Sequence, residues 1–400
     1  MYMEGQLPLA GYKVLDFTRL LPGSFCTMLL ADYGAEVIKV EDTGRGDYSR
    51  NIGVEAGGQS LTFAQLNRNK KSISVDLKTE AGKQIINNLI EKSDVLIESF
   101  RPGTTKRIGI DYESAKEVNS QIIYCSITGY GQDGPYSDKA GHDINYLALS
   151  GLLSLNGKRN SSPVIPAVQI ADIGSGALMA TTGILMALLF RVTTKQGNRI
   201  DVSMTDGLLN WQSVFLPEYL FKGNDLQRGE LLLSGGLACY NIYETEDGEF
   251  MSLGALEEKF WRNFCTVVEK KEWVDKQYCL EAQPQLIEEV QSLFAGKSRE
   301  YWEQLFTGKD VCCEPVLSLK EVSENPQFQY RKMFIDILHP SGRIKQVNSP
   351  LKFNNARART HSFSPYKGEQ TVEILRSMGY RESEITGFRE QGIIDDRHDK

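Results

Sequence analysis

The chain has 400 residues, 41% of them hydrophobic and 24% charged, which suits a globular protein of two or three domains with a substantial core. A net charge of -7 argues against a nucleic-acid binder, which needs a basic excess, but leaves room for a small anionic ligand held by a local group of bases. The opening MYMEGQLPLAGYKVLDF lacks the basic start, apolar core and cleavage site of a signal peptide, and the final residues are not a peroxisomal address. Seven cysteines without metal-type spacing fit a reducing compartment, so a cytoplasmic protein without a metal site is expected.

From residue 11 to about 204, short β-rich runs alternate with helical ones. Strands are predicted over 13–17, 36–41, 72–77, 94–100, 121–128 and 199–204. Helices are predicted over 24–33 and 79–92, the second carrying Ile85, Ile86, Leu89 and Ile90 on one face. Such alternation implies parallel strands with crossover helices, so residues 1–205 are expected to form a large α/β domain with an open, mostly parallel, Rossmann-like sheet. The apolar run 177–190 reads as a buried core helix, too short to span a bilayer, and no membrane association is expected.

Residues 206–236 read as a linker: a helix over 205–221 kinked by Pro217, then a glycine-containing loop. A smaller α+β domain is expected over 237–330, opening with a hairpin whose strands 239–244 and 249–253 flank the turn dipeptide Asp247-Gly248. Helices follow over 257–269, 284–294 and 299–306. Residues 331–400 are expected to return to the large domain and to include a helix over 369–378.

The stretch 140–189 holds two proton carriers at the junctions of loops and regular elements. His142 follows the glycine- and proline-rich loop 129–136, and Asp172 stands before a helical run, at a predicted N-cap. Taken alone, a histidine in such a turn satisfies backbone groups and an aspartate before a helix caps it. Together they make an acid/base pair, with helix N–H groups beside Asp172 as donors for a developing oxyanion. Lys39, Arg45, Arg68, Lys70, Lys71, Lys78, Arg101, Lys106 and Arg107 lie near predicted strand ends, where open α/β sheets bind ligands. Arg101, between a strand and Pro102-Gly103, is expected to be presented into a crevice. No complete dinucleotide fingerprint, phosphate loop, H-E-x-x-H or G-x-S-x-G is present.

Nine segments in order, LAGYKVLDF, LLADYGAEVIKVE, SISVDLKTEAG, DVLIESFRPG, SITGYGQDGPY, AGHDINYLALSG, IADIGSG, RIDVSMTDG and LGALEEKFW, resemble the class III CoA transferases, closest to their alpha-methylacyl-CoA racemase branch. The resemblance implies catalytic roles for Arg101, His142, Asp172 and Glu257, with Glu257 orienting His142. It implies racemisation of 2-methylacyl-CoA esters, the base and acid being His142 and Asp172 in either order, and CoA enters as part of the substrate with no prosthetic group. Lys39, Arg45, Lys78, Phe100, Arg101, Arg107 and Tyr146 are the expected CoA contacts. Several family members carry an arginine soon after the segment VIKVE, where this chain has Asp42-Thr43. An interlocked homodimer is expected, with its active site between the large domain of one subunit and the small domain of the other. The alternative activity is a CoA transfer between carboxylic acids, with Asp172 forming an acyl anhydride. A non-catalytic acyl-CoA binder on the same fold is the third reading.

Overall fold

The computed structural model describes residues 7–339, 342–354 and 361–396. These divide into two compact units. The first takes residues 7–150, 167–211 and the described residues from 329 on; the second takes Gly151–Pro166 and Gln212–Phe328.

The first unit is built on six parallel strands: β1 Lys13–Phe17, β2 Glu36–Glu41, β3 Lys70–Ser74, β4 Val95–Glu98, β5 Ile123–Thr128 and β6 Asn198–Ser203. Their order across the sheet is β3-β2-β1-β4-β5-β6, the doubly wound arrangement with a switch point between β1 and β4. β4 and β5 are buried along their whole length, as strands covered on both faces must be. On one face, Ile85, Ile86, Leu89 and Ile90 of the helix Glu80–Glu91 join Leu15, Ile38, Ile73 and Leu96 in one core. Ile374, Leu375, Ile385, Ile393 and Ile394 complete that core from the C-terminal part of the chain. The helix Leu20–Asp32 lies against β1 and β2, and Met179–Thr194 against β5 and β6.

β3 starts two residues earlier than predicted, at Lys70. The reason is a group of charges buried inside the fold. Lys70 Nζ lies 3.1 Å from Asp16 Oδ2 and donates to Thr27 Oγ1 and Asn67 Oδ1, both at 2.7 Å. Lys39 Nζ sits 2.8 Å from Asp47 Oδ2 and donates to the Thr18 carbonyl at 2.9 Å. All four charged side chains are fully buried. The lysines and their hydrogen-bonding neighbours hold Asp16 and Asp47 below the usual carboxylate range against burial, the largest opposing effect.

This lattice grips the turn from β1 into the following helix, which begins at Leu20 rather than Ser24. Leu20 has φ +62°, a left-handed conformation that disfavours a side chain. The backbone N–H groups leading into it are tied down. Asp16 Oδ1 accepts from Thr18 N–H, Ser99 Oγ from Arg19 N–H, and Asp47 Oδ1 from Leu20 N–H.

Three further features depart from the sequence reading. The helix predicted over 205–221 is two, Met204–Trp211 and Leu216–Lys222, with Pro217 in the first turn of the second, where its missing N–H is not needed. The apolar run extends to Ala171–Thr194, 24 residues of mean hydropathy 1.8 in its most apolar window, so by length and composition it is sufficient to cross a membrane. Within that window 44% is buried inside the protein, and Ala180, Ile184, Ala187 and Leu188 form its buried face. A third strand, Cys313–Pro315, joins the predicted hairpin of the second unit.

The second unit pairs Tyr240–Glu244, Phe250–Gly254 and Cys313–Pro315 as an antiparallel sheet. Its helices Glu258–Val267, Gln283–Phe294 and Arg299–Phe306 cover an aromatic core in which Trp261 stacks on Phe264 at 5.5 Å and Tyr243 on Phe294 at 5.2 Å.

Removing one member of the lattice leaves a buried charge unpaired. Lys39→Met is expected to lower unfolding stability by about 3–5 kcal/mol in urea titrations near neutral pH. A loss below about 1 kcal/mol would show that the turn does not depend on this charge.

Candidate active site

His142 is exposed and precedes the helix Asp143–Leu149, its own N–H donating to Asn145 Oδ1 at 3.0 Å. Asp172 lies in the first turn of a π-helical segment, Ala171–Leu178, that runs directly into Met179–Thr194. It is therefore not the N-cap that the sequence suggested; Ile170 occupies that place. π-helical insertions are rare and concentrate at functional sites, where the extra residue re-aims a side chain.

The two elements are joined by a residue the sequence reading passed over. Asp143 Oδ1 accepts hydrogen bonds from the N–H groups of Ala171, at 2.7 Å, and Asp172, at 3.0 Å. The side chain next to His142 thus clasps the turn that carries Asp172. It also engages two of the N–H groups expected to serve as oxyanion donors, which corrects that expectation. Burial first, and the neighbouring Asp143 carboxylate second, raise the Asp172 carboxyl to about 7. Burial raises Asp143 as well, against the two hydrogen bonds it accepts.

Tyr146, one turn beyond His142, is buried and donates to the Gly141 carbonyl at 2.7 Å. Its ring lies against Gly129 and Gly141, where an added Cβ would come within 2.3 Å and 2.6 Å of it, so both positions need glycine. Burial and the charges of Asp172 and Asp143 push its hydroxyl up in pKa, and the Arg101 cation opposes them. Arg101 and Asp172 thus act on Tyr146 with opposite sign. Arg101 itself is exposed, three residues beyond Glu98 at the end of β4.

The other anticipated contacts divide by burial. Arg45, Lys78 and Arg107 are exposed, and Phe100 is half-buried beside the switch point. Lys39 has no exposed side-chain surface, and its ammonium is committed to Asp47 and Thr18, so it has nothing to offer a ligand. Glu257 is exposed at the N-cap of Glu258–Val267 in the second unit.

Two other residues, one at the end of β4 and one on the π-helical turn, escaped the sequence reading. Glu98, which ends β4, is buried, accepts from Phe100 N–H at 2.8 Å, and is raised to about 7 by burial. Trp211 lies on Gly174 of the π-helical turn so closely that a Cβ there would overlap the indole. An acidic residue in an otherwise apolar strand was the available signal for Glu98. Trp211 offered none beyond its helical spacing.

A model of CoA-transferase family III matches residues 9–371. The chain belongs to that family. It is 34% identical over 396 residues to the alpha-methylacyl-CoA racemase of Homo sapiens, covering 97% of this chain and 98% of that protein. It is also 32% identical over 402 residues to the human succinyl-CoA:glutarate CoA-transferase, covering 98% and 91% of the two chains. A solved CaiB/BaiF family protein from Brucella suis matches with a TM-score of 0.79 and 29% identity, over 94% of this chain and all of that one. Family III membership and the doubly wound fold therefore stand together.

The raised carboxyl of Asp172 has a cost in stability with a definite pH dependence. Below about pH 4 the carboxyl is protonated in both folded and unfolded chains; as pH rises toward 7 the unfolded chain ionises first, and stability from this group is lost. Asp172→Asn is expected to match the parent near pH 4 and to exceed it above pH 7 by on the order of 2 kcal/mol, after discounting for partial solvent screening. Urea titrations at both pH values check this, and a variant equal to the parent at pH 8 would contradict the raised pKa.

Proposed function

We propose that this family III enzyme is a racemase that inverts the α-carbon of 2-methylacyl-CoA thioesters, with His142 and Asp172 as the two proton carriers. The observation that carries the reading is that Asp143, next to His142 in the chain, holds the turn that carries Asp172, whose carboxyl is raised to about 7. A carboxyl with a pKa near the working pH is available both as acid and as base, which inversion in either direction requires. The 34% identity to the human racemase over nearly the full length supports the same substrate class.

In the forward direction one group removes the α-proton, and the electron pair moves into the thioester carbonyl to give an enolate. The other group then delivers a proton to the opposite face. Arg101 supplies positive charge to this neighbourhood and helps offset that of the enolate. Glu257 is the proposed carboxylate partner of His142 in an assembled dimer. Met186, Leu189, Phe190 and Val192 leave an apolar strip of the Met179–Thr194 helix exposed, 48–71% of each side chain's residue surface being accessible, which supports burial against a second copy.

A transferase reading draws support from the 32% relative and from the acidic nucleophile that Asp172 would provide. One experiment separates the two. Incubated with a single epimer of a 2-methylacyl-CoA in D₂O without acceptor acid, the protein is expected to incorporate deuterium at the α-position with loss of stereochemical purity. His142→Ala and Asp172→Asn are each expected to slow exchange by about 10²- to 10⁴-fold. No exchange with short, long or aromatic acyl groups, together with a hydroxylamine-trapped Asp172 acyl adduct, would transfer the assignment to CoA transfer.

Light scattering on the purified chain is expected to give a dimer mass, with exchange activity lost at dilutions that yield monomer. An active monomer would remove the role given to the second copy.

A further inference from the structure

Arg19 was not among the basic residues singled out in the sequence, yet its side chain is held by two rings and a carboxylate beside the switch point. It follows β1 by two residues, Asp42 follows β2 directly, and Phe100 follows β4 by two. The three stand off the carboxyl ends of adjacent strands, where an open α/β sheet receives its ligand. The Arg19 guanidinium lies over the Tyr48 ring at 5.0 Å and the Phe100 ring at 5.6 Å. Its Nη1 donates to Tyr48 Oη at 3.0 Å and its Nη2 to Asp42 Oδ2 at 2.7 Å. Both members of that ion pair remain partly open, with 31% and 42% of their side chains exposed.

Asp42 is held by more than the arginine. Its Oδ1 accepts from the N–H groups of Gly44 at 2.8 Å and Gly46 at 3.2 Å. One carboxylate thus collects a planar guanidinium and two backbone N–H groups, a donor set that also suits the oxygens of a phosphate. Two other cations nearby, Arg50 and Lys39, are committed elsewhere. Arg50 is paired with Glu41 through two nitrogens, and Lys39 is buried on Asp47.

We propose that Arg19 grips the diphosphate of the CoA thioester and that Asp42 is its resident counter-ion, displaced from the guanidinium when substrate binds. The inference rests on the acyl-CoA reading above and deepens it, because it assigns the anion contact to a residue of the β1 turn. The strained turn at Leu20, pinned through Asp47 and Ser99, fixes where the Arg19 side chain starts. Phe100 and Tyr48 limit its rotamers, so little order has to be imposed on binding.

Calorimetric titration of the full-length protein with CoA, dephospho-CoA and pantetheine tests this. Arg19→Met, which keeps an apolar stem against the rings, is expected to weaken CoA and dephospho-CoA alike by roughly ten- to a hundredfold and to leave pantetheine unchanged. Asp42→Asn frees the guanidinium and is expected to tighten CoA by about threefold or more, a gain absent when Arg19→Met is added. Wild-type CoA affinity in Arg19→Met, a loss confined to CoA with dephospho-CoA unaffected, or weaker binding in Asp42→Asn would each overturn the assignment while leaving the acyl-CoA reading in place. Absence of CoA binding by the parent protein would overturn both. Asp42 lies in an exposed loop, so its variant decides the matter should Arg19→Met fail to fold.

Discussion

The β1 turn exists in its observed form because four charges are buried together. Asp16, Lys39, Asp47 and Lys70 have no exposed side-chain surface, and a buried ion is tolerable only when its partners supply both opposite charge and hydrogen bonds. Burial pushes the Lys70 ammonium down to about 8, while Asp16 beside it resists, so it still carries its charge at neutral pH. The lattice is weak evidence for net stability, since well-packed apolar residues often do as well. What it supplies is direction. Backbone groups from Thr18 to Leu20 meet fixed side-chain partners, and an otherwise unfavourable left-handed leucine is held where the chain enters the helix that packs on the π-helical turn. Pro22 of that helix approaches Gly176, where an added Cβ would lie 3.1 Å from it.

The same logic governs Asp172 with the sign reversed. Its environment withholds compensation. No lysine or arginine is among the causes that shift it; burial and a second carboxylate both act to raise it. Asp143 is close because it satisfies the N–H groups of Ala171 and Asp172, so the interaction that anchors the turn also tunes the carboxyl on it. A substitution at Asp143 would therefore alter position and protonation at once, and neither effect could be read from activity alone.

Much of this architecture was legible in the sequence. Alternating β-rich and helical runs predicted the parallel sheet, because strands buried on both faces must be apolar and need crossover helices. The failures share a cause. Lys70 was left outside its strand because a buried lysine breaks the apolar rule, and Leu20 was left outside its helix because leucine gives no sign of a left-handed start. Asp143 reaches N–H groups 28 and 29 residues away, a contact invisible to local pattern. His142 and Asp172 were visible as residue types at junctions, whereas the clasp of Asp143 on the Asp172 turn was not. Arg19 was overlooked for a simpler reason: in Thr-Arg-Leu-Leu-Pro-Gly it reads as the approach to a helix, and its partner Asp42 belongs to the next strand end.

These opposed charge environments also fix how the fold and site respond to pH. Asp16, Asp47, Glu41 and Asp32 are held below their ordinary values, so the stability they contribute is present above about pH 4 and is lost as acid protonates them in the folded chain. Asp172 and Glu98, both raised to about 7, act the other way: what they contribute is complete below about pH 4 and disappears as pH climbs to 7. Their contributions cross between these limits, which places the best balance of these six carboxyls on the acid side of neutrality. A proton-transfer reaction using Asp172 near pH 7 therefore works where the carboxyl is half ionised and part of its destabilising effect is already felt. The paired carboxylates remain fully ionised there, so the frame around the β1 turn keeps its charge pairing while Asp172 changes protonation state.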